Sequence, residues 1–113
     1  MRVEKPWGYE DELQATDRYS VWKLHINAGH ETSLHCHSIK DVFLTCQTGI
    51  LRVERDKQVD FLYPSDTLII NRGTFHRLQS TTGATVLEVE WPNDRNDITR
   101  KEDKYGRCEP QTT

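Results

Sequence analysis

His35 and His37 stand two residues apart in the stretch HCHSIKDVFLTCQTG, residues 35–49. Side chains on an extended chain alternate with period two, so both imidazoles leave one face and Cys36 leaves the other. Two adjacent imidazoles are the beginning of a metal site. They are equally what a solvated strand face presents, and the pair alone does not decide. A third histidine, His76, lies in NRGTFHRLQS, in another strand-like run just after a glycine turn. Strands distant in sequence converge in a closed sheet, so three imidazoles can meet. A three-nitrogen shell with open positions suits Zn, Mn, Fe, Co or Ni and leaves room for water or substrate.

The elements that must position these residues read as strands. Helical periodicity is nearly absent, and short alternating or β-branched runs recur between turn signals. The runs are 19–26, 32–37, 42–47, 50–55, 59–63, 67–70, 74–79 and 84–91. Eight or nine short strands at this spacing predict a sandwich or barrel. Residues 1–18 read as an N-terminal segment, 19–91 as the barrel and 92–113 as a polar tail after Pro92. Within that tail, ITRKEDKYGR either docks on the barrel or on a second subunit, or stays disordered.

At 113 residues the chain is one domain, able to bury a core without staples. Its formal net charge of −3 argues against nucleic acid as the main partner, because phosphate binding wants a basic face. No apolar segment follows the basic start MRVEK, so no signal peptide is expected. No run approaches the roughly 20 apolar residues of a membrane span. Cys36, Cys46 and Cys108 are odd in number and without repeated spacing, which reads as free thiols in a reducing, cytoplasmic setting.

Residues 29–49, GHETSLHCHSIKDVFLTCQTG, resemble the first cupin motif: glycine, five residues, His-x-His, a short gap, an acidic residue, six residues, glycine. Residues 65–80, SDTLIINRGTFHRLQS, resemble the second, matching at Gly73 and His76, with Ser65 and Asn71 where glycine and proline are usual. The flanks VEKPWGYE and LEVEWPNDRNDITRKEDKYGR are similar to those of small cupins related to the C-terminal domain of type II mannose-6-phosphate isomerases. The resemblance covers nearly the whole chain. It implies an all-β fold, an antiparallel sandwich or jelly roll of the RmlC-like kind, with the pocket inside the barrel. It also implies a homodimer and a metal on His35, His37 and His76. At the position of the acidic ligand stands Val42. Asp41 is adjacent, but a one-residue offset turns a strand side chain to the opposite face unless a β-bulge at 40–41 re-aims it.

Glu88 and Glu90 share one face of the last run. If that face lines the pocket, either can be a general base, with its pKa raised by partial burial; otherwise the face is solvated. Lys40 and Arg77 flank the histidine strands and are candidates to bind a phosphate or carboxylate at the pocket mouth. Arg52 and Glu54 read as a surface or cross-strand ion pair, worth little, and His25 as an ordinary sheet histidine. Trp7 is expected to pack the N-terminal segment onto the barrel, and Trp22 and Trp91 to serve the core or a dimer contact. Three functions follow as expectations. The first is a metal-dependent isomerase or epimerase acting on a small phosphorylated or acidic sugar. The second is a three-histidine iron dioxygenase, since cupin-type thiol dioxygenases also lack the glutamate. The third is a non-catalytic sugar or nucleotide-sugar binding module.

Overall fold

The computed structural model describes residues 1–107; Cys108 lies outside the described residues. Twelve strands follow one another: β1 (Arg2–Lys5), β2 (Gly8–Ala15), β3 (Ser20–Ile26), β4 (His30–Glu31), β5 (Leu34–Cys36), β6 (Asp41–Gly49), β7 (Leu51–Arg55), β8 (Gln58–Leu62), β9 (Thr67–Ile70), β10 (His76–Ser80), β11 (Ala84–Trp91) and β12 (Thr99–Glu102). One sheet runs β1-β2-β3-β11-β6-β9 and the other β12-β5-β10-β7-β8, with β4 also paired to β10; every pairing is antiparallel. The all-β sandwich expected from the strand pattern is the architecture observed. No helix of the described residues is long and apolar enough to cross a membrane.

Period-two alternation sets which side chains go inside. In β3, Ser20, Trp22, Leu24 and Ile26 are buried while Val21, Lys23 and His25 face outward. Leu44 and Cys46 of β6, Val86 of β11, Leu51 and Val53 of β7 and Leu78 of β10 meet them between the sheets. The interior is not apolar throughout. Along β11 the inward residues are Ala84, Val86, Glu88 and Glu90, so one end is dry and the other carries carboxyl groups. Trp22 belongs to the core, and Trp7 packs on it as expected.

The barrel begins earlier than the sequence pattern indicates. Residues 2–15 form β1 and β2, registered along β3 from Gly8↔Ile26 to Ala15↔Ser20. Its inward positions include Gly8 and Glu10, which carry no hydrophobic signal. The tail also docks, as β12 against β5. Gly49 closes the turn between β6 and β7 at φ +75°, and a Cβ there would lie 2.1 Å from the Gly83 carbonyl oxygen. Only glycine meets both conditions.

Candidate active site

His35 on β5 and His76 on β10 are direct cross-strand partners, and His37 follows two residues on. Their ring centroids are 4.4 Å apart for His35 and His76, 5.1 Å for His35 and His37 and 5.3 Å for His37 and His76. One ligand atom from each lies within 4.8 Å of the others. Each Nδ1 meets a backbone carbonyl: Ser33 at 2.8 Å for His35, Asp97 at 2.6 Å for His37 and Thr74 at 2.9 Å for His76. A carbonyl oxygen only accepts, so each Nδ1 carries the proton and each Nε2 keeps a lone pair. That is the orientation a metal-ligating histidine requires, with the outer bond fixing tautomer and ring. Burial pushes all three pKa values down, to about 4 for His76, so the rings are neutral at neutral pH. Neutral, pre-aimed nitrogen donors fit a divalent transition metal of the Zn, Mn, Fe, Co or Ni group.

The same cavity holds a carboxyl cluster. Lys40 Nζ donates to Glu90 Oε2 at 2.8 Å, with both side chains 2% exposed. Arg95 donates to Glu90 Oε1 at 2.7 Å and also to Glu10, which Lys5 approaches at 3.5 Å. Glu88 and Glu90 are hydrogen-bonded to each other and share one proton between them. Burial, then the Glu90 charge, push Glu88 well above the usual carboxylate range. Burial also acts to raise Glu90, but the Glu88 hydrogen bond, Arg95 and Lys40 outweigh it and hold Glu90 at about 2. The proton of the pair therefore sits on Glu88 and the charge on Glu90.

Arg100 and Arg107 complete the lining from the tail. Asp103 holds Arg107 at 2.8 Å, whereas Arg100 Nε is buried without a hydrogen-bond partner among the described residues. Five cations (Lys5, Lys40, Arg95, Arg100, Arg107) face three anions (Glu10, Glu90 and Asp103), with Glu88 protonated. The cavity is positive by two charges and suits an acidic ligand.

The sequence profile described as "Mannose-6-phosphate isomerase C-terminal" matches residues 1–103. The chain belongs to the mannose-6-phosphate isomerase C-terminal family. Curated relatives include the mannose-1-phosphate guanylyltransferase ManC of Salmonella typhimurium, 28% identical over 93% of this chain, and the xanthan biosynthesis protein XanB of Xanthomonas campestris, 27% identical over 94%. The chain spans only 23% and 24% of those two proteins. Among solved structures, KdgF from a Halomonas species superposes with a TM-score of 0.79 at 16% identity, covering 85% of this chain and 91% of that one. An RmlC-like cupin from Shewanella frigidimarina gives the same TM-score and identity, covering 85% and 86%. These likenesses establish the cupin fold.

Within this mannose-6-phosphate isomerase C-terminal domain, the expected site residues fall in different places. His35, His37 and His76 come together. Glu88 and Glu90 line the pocket and are not solvated. Lys40 is inside, neutralised by Glu90, and not at the mouth. Arg77 lies on the outer face of β10, opposite His76, bonded to Glu31 at 3.1 Å and reaching Glu102 at 3.5 Å. Asp41 is no ligand. β6 and β11 stay in register from Asp41↔Trp91 to Val42↔Glu90, so no bulge re-aims it. Its carboxylate instead accepts the Arg72 N–H at 2.7 Å and the Arg72 guanidinium at 3.1 Å. Arg52–Glu54 is the surface pair expected, and His25 stacks on Tyr9 outside the site. Glu10, Arg95, Arg100 and Arg107 escaped the sequence reading. Their one signal is Glu10 on the same alternating face as Gly8.

Proposed function

We propose that this domain is a metal-dependent sugar-phosphate isomerase that moves a proton within a small phosphorylated or acidic sugar. One observation carries the reading. Three ligand-ready Nε2 atoms and the one-proton Glu88–Glu90 pair line a single cavity with two positive charges in excess. The family description and the mannose-phosphate and exopolysaccharide names of the relatives support a phosphorylated hexose as the substrate class.

His35, His37 and His76 would hold the metal, which when bound polarises a carbonyl and the neighbouring hydroxyl. Aldose–ketose interconversion carries one C–H proton to the adjacent carbon and one hydroxyl proton to the former carbonyl oxygen, with no oxidant. Glu90 is the carboxylate that accepts and Glu88 the carboxyl that donates. In the second half Glu90 delivers that proton to the adjacent carbon while Glu88 takes the proton of the neighbouring hydroxyl, so the pair ends as it began. Arg100, whose Nε has no partner among the described residues, and Arg107 bind the acidic group. The homodimer belongs to the same reading, supported by the row Val21, Val89, Phe43 and Ile69 left partly exposed across four neighbouring strands; sedimentation tests it. A cytoplasmic setting is supported by the free thiols of Cys36 and Cys46.

The test is deuterium uptake. Metal-loaded protein is incubated in D2O with aldose and ketose phosphates and carbon-bound deuterium is read by NMR. Uptake in wild type that falls more than about 100-fold in His76→Ala is expected. A wild type that binds the sugar phosphate without uptake refutes catalysis and leaves a binding module. A second reading, the three-histidine iron dioxygenase, is favoured by the lack of a carboxylate in the ligand cluster among the described residues. Stoichiometric iron with oxygen uptake on a thiol would establish it.

A further inference from the structure

His35 and His76 each take their Nδ1 acceptor from the carbonyl two residues earlier in the chain, Ser33 and Thr74. The chain supplies those bonds locally. His37 differs, because its acceptor is the carbonyl of Asp97, 60 residues away in the tail, at 2.6 Å. Its tautomer therefore depends on a tertiary contact.

The residue that makes this contact is itself held in an unusual way. The carboxylate of Asp97 accepts three consecutive backbone N–H groups: Ser38 at 2.9 Å on Oδ1, and Ile39 at 2.8 Å and Lys40 at 3.0 Å on Oδ2. These residues form the connection between β5 and β6. Ser38 and Ile39 are exposed, so no apolar packing anchors the connection. At its two ends stand His37, a candidate metal ligand, and Lys40, which reaches inward to Glu90. A carboxylate with three charge-assisted donors is a strong local anchor.

We propose that Asp97 is the positioning residue of the site, its carboxylate fixing the 38–40 connection while its carbonyl locks His37 in the metal-ligating tautomer. The inference rests on the three-histidine metal reading and adds to it that the tail, and not the barrel alone, sets the third ligand. Asp97 touches neither metal nor substrate and acts through His37 and Lys40.

Asp97→Asn is the test. The amide keeps the size but replaces one acceptor oxygen with an NH2 group facing the backbone donors, so the anchor loosens. Two readouts are taken. The first is the His37 tautomer in metal-free protein at neutral pH, from long-range proton–nitrogen NMR of the imidazole. The second is affinity for Co2+ alone, from its visible absorption. Wild type is expected to show Nδ1–H alone. The variant is expected to show mixed tautomers and Co2+ affinity lower by about 10-fold or more, the usual effect of losing an outer-shell partner. Asp41→Asn, which loosens a comparable carboxylate–backbone bond on the outer face, should leave both unchanged. If Asp97→Asn does not fold, Asp97→Glu, which shifts the carboxylate by one methylene, carries the same readouts. A variant that keeps Nδ1–H alone, or binds Co2+ as wild type does, overturns the proposal. Wild type that binds no Co2+ sinks the metal reading instead, and the tautomer readout still decides whether Asp97 locks His37.

Discussion

Lys40→Met separates a buried structural ion pair from a residue at the pocket mouth. A mouth residue would cost ligand affinity and little stability. In the structure Lys40 and Glu90 are each 2% exposed and 2.8 Å apart. At that distance their attraction is about 6 kcal/mol at an effective dielectric of about 20. Removing Lys40 also removes its desolvation penalty, several kcal/mol in the other direction. Truncating one partner of a buried pair leaves a net cost of about 3–5 kcal/mol, because a charge stays buried. Glu90 keeps Arg95 at 2.7 Å and the Glu88 proton, which places Lys40→Met near the lower end, about 3 kcal/mol. That is a large part of the roughly 5–15 kcal/mol holding such a domain together. Urea unfolding at pH 7 measures it. Acid gives a second check. Glu90 has a folded pKa below its unfolded value, so its contribution is present above about 4.5 and is lost as pH falls toward about 2. Without Lys40 the folded value rises and less is lost, so the gap between variant and wild type narrows on acidification. Lys40→Met/Glu90→Met should cost less than the two single changes added, since Arg95 retains Glu10. A loss below about 1 kcal/mol at pH 7, or strict additivity, would refute the buried-pair reasoning.

Arg100→Met should cost about 1 kcal/mol or less, because Nε has no partner to lose among the described residues, while binding of a sugar phosphate measured by calorimetry disappears. Unchanged affinity would remove Arg100 from ligand recognition. Gly49→Ala forces a Cβ to 2.1 Å from the Gly83 carbonyl at a positive φ, so a loss of about 2 kcal/mol or more is expected in thermal unfolding. In metal-free protein His76 has a folded pKa of about 4 against about 6.5 unfolded. The unfolded chain binds the extra proton between those values, so stability is full above about 6.5 and falls by about 3 kcal/mol by pH 4. His76→Gln should flatten the urea-derived stability curve over that window, and an unaltered slope would show that His76 is not buried neutral.

The strand pattern made most of the barrel legible, because β3, β6, β7 and β11 alternate buried and half-buried residues through their inward stretches. The histidines were legible because two share a strand face and the third follows a glycine turn, a spacing that survives without knowledge of pairing. The carboxyl half of the site was not. Glu10 sits inward on a strand whose inner face includes glycine and acid, and a hydrophobic period cannot register such a strand. Lys40 and Arg77 look alike in sequence, each a cation beside a histidine strand. Alternation alone turns Arg77, one residue from His76, out of the sandwich, but Lys40 lies in a connection outside the strands, and only its ion pair with Glu90 shows that it enters.

The tail marks where sequence reasoning ran out, and the reason is physical. NDRNDITRKEDKYGR has the charge mixture of a solvated end, and its local bonds, such as Arg107 to Asp103, do not by themselves place it on the barrel. What holds it is the burial cost of groups elsewhere. Glu10 and Glu90 need Arg95, the 38–40 backbone needs Asp97, and His37 needs the Asp97 carbonyl. Arg95 adds charge-assisted partners to carboxylates buried in the barrel, the Asp97 carbonyl gives the buried His37 its Nδ1 acceptor, and buried polar groups short of partners are costly. Docking the tail therefore makes the polar end of the sandwich tolerable, and the same contacts bring Arg100 and Arg107 to the pocket. Site assembly and barrel closure become one event, so loosening Asp97 should weaken metal binding and tail docking together.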